Sequence, residues 1–231
     1  MQKTQPQSNQ RRGFFKQFLA GSAVLGGLFA GNAVASVTES ASVYDVLEAD
    51  KWFARIKGKH KIIFDVTQPH ELFPFSMPRT FLLANEKTGT PPDECGVVVV
   101  LRHKATVYAL GNALWEKYKF GEMFKINDAD DKLPATQNPF WEPKPGTYTT
   151  GSLGDLHIGI NELQASGVMF CVCDLALTTF SAKIAEKTKV TADEVKKELM
   201  ASLLPGIQPA PSGLWAVGRA QEHGCGYCFV A

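Results

Sequence analysis

The chain carries five cysteines, at positions 95, 171, 173, 225 and 228, and their spacing separates redox, metal-binding and nucleophilic chemistry. An odd number leaves at least one thiol unpaired. Cys171 and Cys173 stand two apart in an apolar run, so in a strand both point to one face. Cys225 and Cys228 stand three apart in another such run, which sends them to opposite faces. That is a poor setting for a redox Cys-x-x-Cys pair, which belongs at the start of a helix. A zinc site would need both pairs to turn inward from adjacent strands, and the histidines at 60, 70, 103, 157 and 223 offer no helical pair, so no metal site is expected. Asp128, Asp130 and Lys132 begin like a calcium loop, but Leu133 stands where glycine is required. No GxGxxG, Walker loop or GxSxG is present.

What remains is Cys173 itself. It closes the run Val168 to Cys173, just ahead of a helical segment containing Phe180 and Ile184. In an open parallel sheet, ligands bind outside the carboxyl ends of the strands, and a thiol there meets helix N-terminal amides, which favour thiolate over thiol. Asp174 opposes this if its carboxylate faces the sulfur. Arg102, His103 and Lys104 follow another apolar run and reach the same rim, where Arg102 and His103 are suited to hold an anion or stabilise a thiolate. The plain alternatives are a Cys173 packed as a small hydrophobe and a solvated basic loop.

The elements that must position these groups are legible as changes of period. Residues 61–66, 96–101, 168–173 and 225–230 are continuous apolar runs, as strands covered on both faces require. Leu204 to Ile207 is a fifth, short candidate. Between them, Val107, Leu110, Leu114, Trp115 and Tyr118 form one stripe, predicting an amphipathic helix over 105–120. Thr191 to Glu194 fits a capping box followed by Val195, Leu199, Met200 and Leu203, and Ser212 is placed to cap a last helix that stops at Gly224. Alternation of strand and helix predicts an α/β domain of about five mostly parallel strands with helices on both faces. Residues 121–151 show no regular period and read as a long loop serving a partner or ligand, or as an insertion anchored by its own aromatics such as Phe140 and Trp141.

The near balance of 24 basic and 23 acidic side chains argues against a general nucleic-acid binder, but it averages two regions. Residues 1–35 hold Lys3, Arg11, Arg12 and Lys16 with no acid, then an apolar stretch from Phe18 to Gly31 that is too short and Gly-rich for a good membrane span. Ala33-Val34-Ala35 fits a signal-peptidase site, and Arg11-Arg12-Gly13-Phe14-Phe15-Lys16 resembles a twin-arginine (Tat) export consensus. The expectation is a Tat signal cleaved near Ala35 and Ser36, handled by the Tat translocase, and a periplasmic mature chain without a membrane span. Removing the four basic groups leaves 20 basic against 23 acidic side chains, a net of −3. Residues 36–59 form a lead-in, helical around Trp52, Phe53 and Ile56, and 60–231 form the main domain.

Val172-Cys173-Asp174-Leu175-Ala176-Leu177 resembles the cysteine motif of the DsrE/DsrF sulfur-relay family. Leu204-Pro205-Gly206-Ile207, Pro211-Ser212-Gly213 and Arg219-Ala220-Gln221-Glu222-His223-Gly224 are similar to that family's close. The resemblance spans roughly residues 60–231. It implies a flavodoxin-like fold, assembly into homo-oligomers, no cofactor, and a cysteine, here Cys173, that carries sulfane sulfur as a persulfide between thiol-bearing partner proteins. The family's relay proteins are cytoplasmic and their small subunits have no counterpart of the 121–151 loop, so this chain fits an exported branch. Two expectations follow: a sulfur carrier acting through Cys173, or a non-catalytic ligand-binding or oligomeric interaction module in which Cys173 is structural.

Overall fold

In the computed structural model, which describes residues 46–152 and 154–231, the apolar runs become strands and the helical segments pack upon them. The segment expected to be an export signal, its expected cleavage site and the beginning of the lead-in lie outside the described residues. Helix α1 (Val46–Phe53) precedes strand β1 (His60–Val66), helix α2 (Phe73–Lys87) and strand β2 (Cys95–Leu101). A 3₁₀ segment (His103–Ala109) and short helices α3 (Asn112–Tyr118) and α4 (Phe120–Phe124) open the long connection. It continues through a two-stranded hairpin, β3 (Thr149–Thr150) and β4 (Gly154–Asp155), to α5 (Ile160–Ala165). Then come β5 (Met169–Cys173), α6 (Asp174–Ala185), α7 (Ala192–Ala201), β6 (Ile207–Ala210), α8 (Gly213–Glu222) and β7 (Gly226–Val230).

The main sheet has the order β6-β5-β2-β1-β7, and every neighbouring pair is parallel. Its connections explain how the helices are distributed. From β1 through β2 and β5 to β6 the chain steps steadily in one direction, so right-handed crossovers place α2 to α7 on one face. Only the return from β6 across the sheet to β7 runs the other way, and it places α8 on the opposite face with α1. The strand residues sort accordingly: Phe64, Val66, Val97, Val99, Leu101, Phe170 and Val172 join the core beneath α2 to α7. Ile63, Val98, Val100 and Cys171 join the smaller core with Trp52, Phe53 and Ile56 near α1 and Ala216, Val217 and Ala220 of α8. Strand β2, third of five, is buried along its whole length, as its unbroken valine run requires. The protein is thus an α/β domain of flavodoxin-like type with helices on both faces.

Both capping expectations hold. The Thr191 hydroxyl accepts from the Glu194 amide while the Glu194 carboxylate accepts from the Thr191 amide, and Ser212 Oγ accepts from the Trp215 amide at 3.1 Å. Two other expectations are corrected. The stripe over 105–120 is not one helix, because Ala109 to Gly111 runs alongside Ser202 to Leu204: Leu110 forms an antiparallel bridge with Leu203, and the Gly111 amide donates to the Ser202 carbonyl. Tertiary pairing there outweighs the helical period. The last-added strand lies at 207–210, not 204–207, since Gly206 takes φ +77° in the preceding turn. Pro209 is accommodated because β6 is an edge strand.

Candidate functional site

Strand β5 ends at Cys173, which serves as N-cap of α6: its Sγ accepts a hydrogen bond from the Ala176 amide at 3.4 Å. The sulfur therefore sits at the positive end of a twelve-residue helix. The side chain is nearly enclosed, at 7% exposure, on the α8 side of the sheet. The register pairs Leu101 with Val172, so Arg102 and Cys173 are the next residues along two adjacent strands. Asp174, whose carboxylate would repel an anionic sulfur if turned toward it, is ion-paired with Lys196 of α7, and Lys196 also donates to Thr178 Oγ1 at 2.8 Å.

Arg102 is turned into the sheet. Its Nε and Nη2 donate to the two carboxylate oxygens of Asp65 at 2.5 and 2.8 Å, and the Tyr227 hydroxyl donates to Asp65 Oδ2 at 2.8 Å. Asp65, the one acid of β1, is only 1% exposed. Hydrogen bonding to Asp65 raises the Arg102 guanidinium above its ordinary value against the opposing effect of desolvation, with further help from the Asp65, Tyr227 and Cys173 charges. The close fit depends on Gly213 at the start of α8, where a Cβ would lie 2.6 Å from Arg102 Cδ. The N-termini of α6 and α8 thus border the same rim. Exposed Leu175 and Leu214, each second in its helix, lie beside them.

The structure brings Cys173 and Arg102 together but not His103. His103 takes φ +48°, is exposed, and begins the 3₁₀ segment with Lys104. Sequence reasoning missed Asp65 as a site residue, although a lone carboxylate in an otherwise apolar strand was a readable sign of a buried cation partner.

The other thiols divide by burial. Cys171 is wholly buried, and desolvation first, then the negative charges of Cys173 and Asp65, push its thiol far up. Burial also pushes up Cys95 and Cys225. Cys228 is half-exposed on edge strand β7, packed against the α2–α7 core, while Cys225 packs in the α1/α8 core; the two face opposite ways. All five are free cysteines. Among the described residues no three His, Cys, Asp or Glu side chains gather as a metal centre.

A cavity of about 570 Å³ lies elsewhere on the molecule, between the segment after β1, Tyr108 and the long connection. Phe140 lines this cavity and is itself buried, stacked on Tyr148 with ring centroids 5.0 Å apart and packed on Phe75 and Tyr108, as an insertion anchored by its own aromatics requires. Asn138, also buried, donates to the carbonyls of Tyr108 and Leu110, so the connection is tied down by its own side chains. In comparisons with known proteins, no family model matches the chain and no curated protein matches it.

Proposed function

We propose that this protein is an exported sulfur handler of DsrE/DsrF-like type, with Cys173 as the sulfur-carrying residue. The observation that carries the reading is the seating of Cys173 Sγ at the N-terminus of α6 beside Arg102. The thiolate attacks the outer sulfur of thiosulfate, the S–S bond breaks, and sulfite leaves with the electron pair, giving a Cys173 persulfide with no external oxidant or reductant. An acceptor thiolate then attacks the terminal sulfur and Cys173 departs as thiolate. The helix amide and the Arg102 cation offer stabilisation to the anionic sulfur at each stage. Exposed Leu175 and Leu214 supply an apolar margin for a thiol-bearing partner. Tyr227 and Phe229, exposed on edge strand β7, favour self-association into a homo-oligomer. The Tat-like N-terminus supports a periplasmic location, where such a carrier would meet its donor.

The test is intact-mass spectrometry after incubation with thiosulfate or polysulfide. The expected product is heavier by about 32 Da, one sulfur atom. It should vanish in Cys173→Ser and persist in Cys228→Ser. Serine is a strong N-cap, so the first variant keeps the start of α6 and isolates the sulfur chemistry. An adduct absent from the parent, or lost only with Cys228, would overturn the reading.

The cavity favours a second reading, because none of the residues lining it is Cys173. In that case the protein is a non-catalytic ligand-binding module, Cys173 is only the cap of α6, and Cys173→Ser leaves function intact.

A further inference from the structure

The 570 Å³ cavity has a built interior. Its apolar wall comes from Leu72, Ile126, Pro139, Phe140 and the ring of Tyr148. Tyr108 stands among them, 1% exposed, with its ring packed against Phe75, Trp115 and Phe140. Its hydroxyl has no hydrogen-bond partner among the described residues, and the residue lines the cavity. Burial holds this phenol well above its ordinary pKa, which keeps the proton on the oxygen as a donor. The neighbouring Tyr148 hydroxyl is already spent, donating to the Pro139 carbonyl at 2.6 Å. A buried, unpaired hydroxyl is costly unless water or a ligand completes it.

The backbone at the mouth points the same way. Glu71, Lys125 and Lys132 all line the cavity and all hold positive φ, at 46°, 56° and 62°. Left-handed conformations of non-glycine residues are maintained at some cost and cluster at binding sites. Charge at the mouth is balanced, with Lys125 and Lys132 against Glu71 and Asp128. The charged lining residues thus balance, and Tyr108 is the buried side-chain donor beside Leu72, Ile126 and Phe140, with Asn127, Thr147 and Thr149 adding polar groups that are less buried.

We infer that this cavity binds a small, uncharged aromatic molecule bearing a carbonyl group, with the carbonyl oxygen accepting from the Tyr108 hydroxyl. Apolar contact with the lining Leu72, Ile126, Pro139, Phe140 and Tyr148 supplies the area, and the hydrogen bond to Tyr108 fixes orientation. The site is separate from Cys173 and does not depend on the sulfur chemistry.

The test uses the full chain and benzamide as probe, followed by amide NMR titration. Shifts should concentrate at residues 125–132 and 147–149 and around Tyr108. Tyr108→Phe, which keeps the ring and the packing, should weaken benzamide about fivefold or more, as loss of one neutral hydrogen bond implies. Benzoate should bind no tighter than benzamide, and Lys132→Ala should change benzamide affinity less than about twofold. No shift by about 10 mM, where a ligand of nine heavy atoms and ordinary efficiency would bind, overturns the site. Unchanged affinity in Tyr108→Phe overturns the role of the hydroxyl, and much tighter benzoate overturns the uncharged class.

Discussion

Arg102 illustrates how a residue selected for its charge can be occupied by an unseen partner. From the chain alone it stands beside His103 and Lys104 as one of three cations at a rim. In the fold it is bound on two sides by Asp65, which in turn accepts from Tyr227. A buried carboxylate between a guanidinium and a phenol is stable only as a complete set, because removing one charge strands the other. Asp65→Asn is therefore expected to destabilise the protein by about 3 kcal/mol or more in urea unfolding, whereas Tyr227→Phe costs about 1 kcal/mol. Equal, small effects of the two variants would mean that the ion pair contributes little. Nη1 of Arg102 takes no part in either Asp65 contact.

Among the elements, the long connection between β2 and β5 is held both by its own side chains and by α2. Its later part is fastened by Arg79 of α2, which donates to the His157 carbonyl through Nε at 3.0 Å and to Ser166 Oγ at 3.0 Å. Asp155, at the end of β4, accepts from the backbone amides of Gly146 and His157. Those two bonds, the Gly146 bond first, lower its carboxyl pKa below the ordinary 3.8. A depressed folded value means that the stabilisation is complete above pH 3.8 and disappears as the pH falls through the lower folded value. Amide exchange at Gly146 and His157 should therefore accelerate selectively in that acid window. Asp155→Asn should exchange faster at neutral pH and lose the acid step; an unchanged acid step in that variant would assign it to another group.

At the scale of the whole molecule, the sheet places its cysteines in environments with different access to reagent. Cys95, Cys171 and Cys225 are buried in the two cores, and each thiol is pushed up by burial. Their labelling by a thiol reagent should require global unfolding and follow its denaturant dependence. Cys228, half-exposed on an edge strand, should label in the native state. Mass analysis of labelled peptides checks the order. Native labelling of Cys171 at the rate of Cys228 would show that the α1/α8 core opens locally, because Cys171 packs there with Trp52, Ile63 and Val217.

Much of this arrangement was legible from the chain. Strong local signals sufficed: four apolar runs are strands, Thr191 and Ser212 cap helices, and alternation of strand and helix gives the parallel sheet. Cys173 was readable at a strand end and helix start because both elements have short-range signatures there. The tertiary structure decided what those signals do not encode. It broke the 105–120 stripe, because Ala109 to Gly111 pairs with residues nearly a hundred positions later. It decided which rings Phe140 packs on, since its burial depends on Phe75, Tyr108 and Tyr148 arriving from separate segments. It joined Arg102 to Asp65 and placed Tyr108 on the wall of a cavity, because ion pairs and voids are set by strand order and packing, which no local periodicity records.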